Sequence, residues 1–339
     1  MNMRMKKILV LIGSVAVLAA CAKTETVNAN DTEKAELEAW LQLNYPGVQA
    51  TDPGIYILED TPGTGAALPE TGYLIVDYTS TELSGEVVNT TSETIARRVG
   101  TYAASSYYGP VVQYTGGTTL PAGVAAMMQG MKEGGRRKAV IPAWLQTTTR
   151  YATAAEYLAQ STDASTLIYD VTVREVTEDI AAYQKQEIET MSRTLFGKVN
   201  AVEDGFYYYT VRDAKSSRDM PSDTTVYINY TGKLLNGQVF DTTVESVAKD
   251  AGIWSKSRTY KPAKIDWASE RANLKMTPAG STSSSTVIEG IQLTLWQMHP
   301  GESAVSLFWS DLGYKDSGSG KSIPAYAPLL FEIELVDNQ

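Results

Sequence analysis

Tyr230, Phe240 and Asp241 bring two aromatic rings and one carboxylate to a single predicted hairpin, residues 224–241. Apolar and polar side chains alternate up to Tyr230, which is the period of a half-buried strand. An Asn-Gly pair at 236–237 then predicts a tight reversal, after which the chain returns along the first strand. We therefore expect an aromatic site with one acid at one end of a sheet.

The sequence offers this site no set of metal ligands. His299 is the only histidine and Cys21 the only cysteine, so a zinc site has no support and no intramolecular disulfide can form. His299 precedes a Pro-Gly pair, and we interpret it as a helix-end or turn residue. We expect neither a metal nor an organic cofactor.

Length and charge limit the classes of function. The chain has 339 residues, which is enough for two domains of ordinary size, and its apolar content of 43% is ordinary for a globular protein. The formal net charge is −10. Because a phosphate backbone requires a basic surface, we expect no nucleic-acid partner.

The N-terminus has the pattern of an export signal. Three cations near the start precede an apolar run, 8–20, that is too short for an ordinary membrane span. The run ends in Leu-Ala-Ala-Cys, which resembles the bacterial lipoprotein signal with Cys21 as the lipidated residue; the alternative is an ordinary signal-peptide cysteine. Ala22 follows instead of Asp, and by the same resemblance this favours the outer membrane, on its periplasmic or its surface face. We predict a signal peptide at 1–20 and a flexible tether at 21–32.

Two parts of the chain repeat each other. The stretch DYTSTELSGEVVNTT at 77–91 matches NYTGKLLNGQVFDTT at 229–243, and 123–134 matches 290–301. The long spacing indicates a domain duplication and not a solenoid. A helix opening near Thr32 precedes the first copy, and an amphipathic helix over 179–196 precedes the second, either as a plain connector packed on one domain or as a partner-binding helix.

The sequence pattern of each copy predicts many strands and one short helix. We predict the short helices at 121–131 and 289–298, and the last strands at 166–173 and 329–336. This pattern predicts an α+β fold in which an antiparallel sheet is covered on one face.

The second copy resembles the FKBP-type peptidyl-prolyl cis-trans isomerases. The resemblance rests on VYINYTGKLLNGQVFD at 226–241, VIEGIQLTLWQMHPGE at 287–302 and SDLGYKDSGSGKSIPAYAPLLFEIEL at 310–335, which occur in the family's order. It implies two tandem FKBP-like modules, each a curved antiparallel sheet around a short helix. The implied domains are a degenerate module at 33–177, a helical connector at 178–204 and an isomerase module at 205–339.

The resemblance also implies a shallow apolar pocket for a proline ring. Its catalytic positions fall on Tyr230, Phe240, Asp241, Ile288, Tyr314 and Phe331, and its substrate-binding positions on Val287, Ile291 and Trp267. The Ile288 backbone N–H and the Tyr314 hydroxyl resemble the family's donors to substrate carbonyls. Taken one at a time, Tyr230 and Phe331 also fit core positions of strands. Asp241 also fits a turn residue that caps the next segment.

The second copy departs from the family pattern at the pocket. Ile291 stands where tryptophan is common, and Ala263 and Ile265 stand where rim aromatics are expected, so we look to Trp267 or Tyr260 to compensate. The loop that usually carries an apolar or histidine side chain is Ser-Gly-Ser-Gly at 317–320. A low-complexity run within an insertion at 268–286 predicts a mobile loop near the pocket.

The first copy departs further. Phe240 and Asp241 align with Val88 and Asn89, Val287-Ile288 align with Leu120-Pro121, and Phe331 aligns with Ile168, while Tyr78 keeps the place of Tyr230. Proline has no N–H to donate. We expect a module without isomerase chemistry, kept for binding, dimerisation or support. The cations at 136–138 fit a solvated face, with a docking patch as the alternative.

These patterns lead to an envelope-located prolyl isomerase whose active site lies in the C-terminal module. The expected partners are proline-containing polypeptides and a membrane that holds the lipid anchor, with a homodimer as a further possibility. The first alternative is a non-catalytic FKBP-like binding or chaperone lipoprotein, motivated by Ile291 and the degenerate first copy. A structural component of a surface lipoprotein complex is the second alternative.

Overall fold

The computed structural model describes residues 29–159 and 164–336, and these form two antiparallel sheets with few helices. The first module runs α1 (Ala29–Asn44), β1 (Tyr56–Thr61), β2 (Tyr73–Glu82), β3 (Val87–Thr90), α2 (Glu93–Val99), β4 (Val111–Tyr114), α3 (Ala122–Met128), β5 (Arg136–Ile141), α4 (Ala154–Leu158) and β6 (Leu167–Thr177). The predicted α+β class with antiparallel sheets is confirmed.

A linker helix, α5 (Ile180–Phe196), leads into the second module. This module runs β7 (Ala201–Glu203), β8 (Phe206–Arg212), β9 (Thr225–Leu234), β10 (Val239–Thr242), α6 (Glu245–Asp250), β11 (Ala263–Asp266), β12 (Lys275–Thr277), β13 (Ser285–Thr286), α7 (Glu289–Gln297), β14 (Ser303–Phe308) and β15 (Leu329–Val336). The Asp179 side chain accepts a hydrogen bond from the Ala182 N–H and so caps the start of α5.

The two sheets have the same strand order. The first runs β1-β5-β6-β2-β3, with β4 also paired to β2. The second contains β8-β14-β15-β9 in the same order, with both β10 and β11 paired to β9. Additional strands extend the second sheet, β7 beyond β8 and β12-β13 beyond β11. The duplication read from the sequence therefore corresponds to one repeated sheet topology.

Matched threonines hold the two hairpins in the same way. The hydroxyls of Thr231 and Thr242 lie 2.9 Å apart across β9 and β10, and those of Thr79 and Thr90 lie 2.8 Å apart across β2 and β3. The Tyr230 N–H donates to Oγ1 of Thr243, just as the Tyr78 N–H donates to Oγ1 of Thr91. Hydrogen bonds between side chain and backbone thus fix the register at the same place in both modules.

Each sheet is covered on both faces, so the prediction of one covered face was wrong. In the second module, Phe206 and Tyr208 face α7, whereas Tyr207 and Tyr209 face Ile188 of the linker helix. In the first module, α3 covers one face, and Leu37 and Leu41 of α1 pack against the other face at Val140 and Ile168. The amphipathic helix that precedes each sheet therefore belongs to that sheet's core. This is the packing expected of a connector held on one domain.

Several element bounds differ from the sequence predictions. Helix α1 begins at Ala29, inside the predicted tether at 21–32, and β6 continues to Thr177 instead of ending at 173. The predicted mobile loop, the low-complexity run at 277–286, is held at both ends, because Thr277 pairs within β12 and Ser285–Thr286 pair as β13. Leu274, just before this run, is buried in the core with Trp267. The insertion extends the edge of the sheet. Cys21, the signal at 1–20 and most of the predicted tether lie outside the described residues.

The cations at 136–138 are not a free docking patch. Arg136 forms ion pairs with Glu59 at 2.8 Å and with Asp170 at 2.6 Å. Arg137 pairs with Asp60 at 2.8 Å across the same strands. Their charges are neutralised by neighbouring strands of the first sheet.

Candidate functional site

The acid of the predicted site is held by two donors. The Tyr230 hydroxyl on β9 donates to Oδ2 of Asp241 on β10 at 2.6 Å, and Arg258 forms an ion pair with the other carboxylate oxygen, Oδ1. Burial and then the charge of Asp241 raise the pKa of Tyr230 above its ordinary value, so the phenol stays protonated and acts as the donor. The carboxylate is therefore fixed in one orientation.

Four aromatic rings form one cluster, which meets this carboxylate through Tyr230. Phe331 on β15 is 2% exposed and stands at the centre. Its ring centroid lies 6.2 Å from that of Tyr230, 5.6 Å from that of Phe240 in an edge-on arrangement, and 5.7 Å from that of Phe308 in a stacked one. These separations are in the range of favourable aromatic pairs.

A glycine makes room for this ring cluster. A Cβ added at Gly232 would lie 2.6 Å from the Phe240 ring and 3.0 Å from the Phe331 ring. Any larger residue at this position would have to push the rings away. The close approach of β9 to Phe240 thus depends on the absence of a side chain at Gly232.

The start of α7 forms the second side of the site. Val287 and Ile291 are buried in the same core cluster as Tyr230 and Phe331, and Ile288 packs on that cluster while partly exposed. Ile288 is the N-cap residue of α7, with φ −61° and ψ 151°. Within the described part of the chain, its backbone N–H has no hydrogen-bond partner. It is free to donate to a ligand, as the first N–H groups of a helix commonly are.

Tyr314 supplies a second unoccupied donor. Its ring packs on the same core cluster, and burial together with the charge of Asp241 raises the pKa of Tyr314. Its hydroxyl has no hydrogen-bond partner among the residues described. The arrangement is an aromatic and aliphatic surface that carries two available donors and a neutralised acid. It contains groups suited to binding an apolar ring beside two carbonyl oxygens.

The structure brings most of the predicted site residues together and buries Trp267 in the core. Tyr230, Phe240, Asp241, Val287, Ile288, Ile291, Tyr314 and Phe331 all lie in or on one cluster. Trp267 is buried in that core and stacks on Trp296, with 5.9 Å between ring centroids and 4° between ring planes. The Tyr260 hydroxyl accepts a hydrogen bond from the Ser255 N–H and so closes a local turn. Ala263 and Ile265 are buried in the core.

His299 has a structural position. It lies one residue beyond Met298, the C-cap residue of α7, and its backbone N–H donates to the buried carboxylate of Glu302 at 2.9 Å. Its placement agrees with the interpretation as a helix-end residue. Among the residues described, no group of three or more His, Cys, Asp or Glu side chains is placed to hold a metal ion.

Sequence reasoning missed Arg258, Phe308 and Gly232. Arg258 lies in the segment between α6 and β11, and nothing in its local pattern indicates that it returns to Asp241. Phe308 could have been found, because it ends β14, which pairs with the predicted last strand at 329–336. Gly232 could have been found as a glycine inside a strand pattern, which often marks a close approach.

The same surface in the first module lacks most of these groups. Val88 and Asn89 stand at the positions of Phe240 and Asp241, Val88 is 52% exposed, and Ser106 stands at the position of Arg258. Pro121 is the N-cap residue of α3 and offers no N–H where Ile288 does. The first module therefore keeps the fold without the acid, its arginine or the donor.

One predicted correspondence was wrong by a residue. Phe331 pairs with Gly232 on β9, and Tyr169 pairs with Ser80 at the matching place on β2, so the counterpart of Phe331 is Tyr169 and not Ile168. Ile168 points to the opposite face, where it packs under α1. A slip of one residue along a strand reverses every side chain. The Tyr169 ring stacks on Tyr78 at 6.4 Å, so the first module retains two rings.

Comparison with known proteins agrees with the geometry of the second module. Residues 268–336 match the family model "FKBP-type peptidyl-prolyl cis-trans isomerase". Residues 5–22, which include Cys21, match the model "Prokaryotic membrane lipoprotein lipid attachment site". The chain therefore has the attachment site of a lipid-anchored envelope protein. No helix among the described residues is long and apolar enough to span a membrane.

Individual relatives carry the same family name. The chain is 29% identical over 163 residues to a "Probable FKBP-type peptidyl-prolyl cis-trans isomerase" of Haemophilus influenzae, covering 47% of this chain and 54% of the relative. It is 28% identical over 139 residues to the "FKBP-type 22 kDa peptidyl-prolyl cis-trans isomerase" of Escherichia coli, covering 41% and 52%. The chain thus spans about half the length of the curated relatives it matches.

A solved structure of the three FKBP domains of wheat FKBP73 is similar at a TM-score of 0.29 and 16% identity, covering 84% of this chain and 95% of that one. That score is too low to bear on the fold or the function.

Proposed function

We propose that this chain, whose C-terminal module belongs to the FKBP-type peptidyl-prolyl cis-trans isomerase family, catalyses rotation about X-Pro bonds. The observation that carries the proposal is the pair of available donors, the Ile288 N–H and the Tyr314 hydroxyl, beside the ring cluster around Phe331. The active site lies in the second module and comprises Tyr230, Phe240, Asp241, Ile288, Tyr314 and Phe331, with Val287, Ile291 and Trp267 beneath it.

The reaction needs no nucleophile, because no covalent bond breaks. Rotation about the X-Pro bond has a barrier of ~18–20 kcal/mol, since the planar amide loses its resonance when it twists. A dry aromatic surface disfavours the polar planar amide relative to the less polar twisted form. Only binding that is stronger in the twisted state accelerates the rotation.

Each group of the site has a role in that differential binding. The rings of Phe240 and Phe331 receive the proline ring, and burial at roughly 25 cal/mol per Å² provides affinity with little sequence specificity. The Ile288 N–H and the Tyr314 hydroxyl donate to the substrate carbonyls on either side of the proline and so hold the peptide while the bond turns. The Tyr230 hydroxyl and Arg258 keep the Asp241 carboxylate oriented, so its charge is present at a fixed place next to the twisting amide.

The first module acts without isomerase chemistry. Support comes from Asn89, Ser106 and Pro121, which replace the acid, its cation and the backbone donor. The domain divisions proposed are a non-catalytic module to 177, the linker helix, and the catalytic module from 205.

The substrates proposed are proline-containing segments of envelope polypeptides, which this protein helps to fold. A lipid on Cys21 holds the protein at a membrane, and Ala22 after that cysteine favours the outer membrane.

An exchange experiment on the full chain tests the activity. Magnetisation exchange between the cis and trans signals of an X-Pro peptide should be faster with the chain than without it. Phe240→Ala combined with Tyr314→Ala should lower kcat/KM by about 100-fold, because both the ring contact and one donor are lost. The matched control is Val88→Ala combined with Thr147→Ala in the first module, and it should leave kcat/KM unchanged. Thr147 corresponds to Tyr314, because each lies two residues after a short 3₁₀ turn, Ala143–Leu145 or Ser310–Leu312.

Two outcomes contradict catalysis at this site. The first is exchange at the uncatalysed rate, and the second is exchange that the Phe240→Ala, Tyr314→Ala variant leaves unchanged. Suppression of client aggregation that survives the same double substitution, without faster exchange, would support a non-catalytic binding protein.

A further inference from the structure

The loop that carries Tyr314 contains two residues with unfavourable backbone conformations. We call residues 314–328 the rim loop. Two of its residues other than glycine adopt left-handed conformations, Lys315 at φ 55° and Tyr326 at φ 59°. The Tyr326 N–H donates to the Lys315 carbonyl at 2.8 Å and closes the loop at its base. Such backbone conformations cost free energy and persist where surrounding contacts determine them.

The linker helix supplies the first of these contacts. Gln184 on α5 is 2% exposed, and its amide meets Ser310, which is 1% exposed. The Ser310 N–H donates to Gln184 Oε1 at 2.7 Å, and Gln184 Nε2 donates to Ser310 Oγ at 3.0 Å. The carbonyl of Ser310 in turn accepts the Lys315 N–H at 2.8 Å. The Gln184 amide thus holds Ser310, and the carbonyl of Ser310 in turn holds Lys315 at the start of the rim loop.

The first module supplies the second contact. The Tyr107 N–H donates to the carbonyl of Lys321 in the rim loop at 2.7 Å, and the Tyr107 ring packs on the core cluster of the second module. The Tyr73 ring meets Tyr326 edge-on, with 5.4 Å between centroids. Next to this contact, Gln238 Nε2 donates to the Ser106 carbonyl at 3.0 Å and ties the same first-module segment to the second hairpin.

We infer that the linker helix and the first module position the rim loop, so that Gln184 and Tyr107 act as positioning residues for Tyr314. The inference rests on the proposed function, because it assigns the orientation of one of that site's donors to contacts outside the catalytic module. It gives the module without isomerase chemistry a defined task. Residues 198–339 alone would lack both contacts, so the tests use the full chain.

Substitution of Gln184 tests the first contact. Gln184→Met removes both hydrogen bonds to Ser310 at similar side-chain length, and we expect kcat/KM to fall about tenfold, because the rim loop loses its anchor. Gln186→Met is the matched control for residue type on an exposed face of the same helix. Ile188→Val is the control for lost stability, since Ile188 packs under the sheet and takes no part in the hydrogen bonds between Gln184 and Ser310.

The controls decide between positioning and general destabilisation. Positioning predicts that Gln184→Met alone lowers kcat/KM at a temperature where all three variants are fully folded by circular dichroism. Equal losses in Gln184→Met and Ile188→Val, or no loss in either, would overturn the inference.

Substitution of Tyr107 tests the second contact. Tyr107→Ala removes the ring from the junction and should lower kcat/KM by about threefold to tenfold through a looser rim loop. Tyr107→Phe keeps the ring and the backbone donor, and loses only the hydroxyl's bond to the Pro110 carbonyl, so it should retain the activity. Equal activity of the Ala and Phe variants would argue against positioning by the first module.

A spectroscopic readout separates this inference from the proposed function. In the chain labelled with ¹³C-tyrosine, the ring signal of Tyr314 is assigned by its loss in Tyr314→Phe. Positioning predicts that this signal shifts or broadens in Gln184→Met and in Tyr107→Ala, and is unchanged in Gln186→Met. If the unsubstituted chain shows no isomerase activity, the proposed function fails while this readout still decides the positioning. An unchanged Tyr314 signal in both variants would overturn it.

Discussion

The hairpin of the first sheet and the hairpin of the second are held by matching threonine hydrogen bonds, and they differ in the side chains that face the site. Thr79 and Thr90 repeat the hydroxyl contact of Thr231 and Thr242 to within 0.1 Å, at 2.8 and 2.9 Å. Yet the acid of the second hairpin is Asn89 in the first. The contacts that hold the fold are thus separate from those that could perform chemistry, and one can be lost without the other.

A second difference lies in the sizes of two residues that face each other on neighbouring strands. In the second module Gly232 leaves room for the Phe240 ring, whereas in the first module Ser80 stands at the glycine position and Val88 at the phenylalanine position. A bulky ring and a side chain on the neighbouring strand exclude each other there. The second module has glycine on the first strand and the ring on the next, and the first module has neither, so only the second module has an aromatic ring at the position of Phe240.

The largest effect is expected from placing serine, the residue at Ser80 of the first module, at the position of Gly232 in the second. Gly232→Ser should destabilise the second module by about 1–3 kcal/mol by overpacking and should displace Phe240, so that isomerase activity falls with it. Adding Phe240→Val should restore the midpoint of thermal unfolding without restoring activity. Circular dichroism melts and the exchange assay measure both quantities. Full activity of Gly232→Ser would contradict the assigned contact.

Its control is the reverse change in the first module. Ser80→Gly should cost only about 0.5–1 kcal/mol, the ordinary cost of a glycine within a strand, and should leave activity unchanged.

The next effect concerns the acid. Asp241→Asn copies Asn89 and removes the ion pair to Arg258, while the amide oxygen can still accept from Tyr230. We expect kcat/KM to fall about tenfold, because the charge-assisted contact that orients the group is lost. Asn89→Asp in the first module should add no activity to a chain that also carries Phe240→Ala and Tyr314→Ala. A gain there would mean that the first module needs only the acid.

A smaller effect should appear at high pH at the contact between the modules. Burial, together with the carboxylates of Glu187 and Asp77, raises the pKa of Tyr107 to about 12. Because this is above the ordinary tyrosine value of about 10, its contribution to stability is complete below about pH 10 and is lost as the pH rises towards 12. The difference in unfolding free energy between the unsubstituted chain and Tyr107→Phe should therefore change across that interval. A constant difference would contradict the buried position of Tyr107.

The smallest effect is expected at the ion pairs of the first sheet. Arg136→Ala removes contacts to Glu59 and Asp170 that lie at a partly exposed surface. Such pairs contribute about 0–1 kcal/mol, so the unfolding free energy should change by no more than that, and less in high salt. A loss above about 2 kcal/mol would show that this charge cluster supports the first module far more than solvent screening allows.

Local patterns predicted the elements that are long and regular. The last strand, Leu329–Val336, has the bounds that its alternation predicted, and Gly237 adopts φ 87° at the predicted reversal. The linker helix, Ile180–Phe196, agrees to one residue with the helix predicted over 179–196. Helices α2 and α6 were missed because they are short, although Ser92 caps α2 through the Ile95 N–H and gave a local indication.

What the sequence could not supply were contacts between distant segments. Arg258 reaches Asp241 from a segment of irregular structure, and Gln184 meets Ser310 across more than a hundred residues. The alignment of Ile168 in the first module with Phe331 in the second was wrong, because sequence alignment cannot fix strand register to one residue. The predicted site residues themselves came from the family resemblance, and the structure adds how they are held.

The most direct test of the comparison is where a proline-containing peptide binds. Amide chemical shifts of the ¹⁵N-labelled full chain, recorded during titration with an X-Pro peptide, report the site without reference to activity. We predict that the amide signals of Asp241, Ile288 and Tyr314 shift and those of Asn89 and Thr147 do not. Shifts confined to Asn89, Thr147 and their neighbours in the first module would contradict the account.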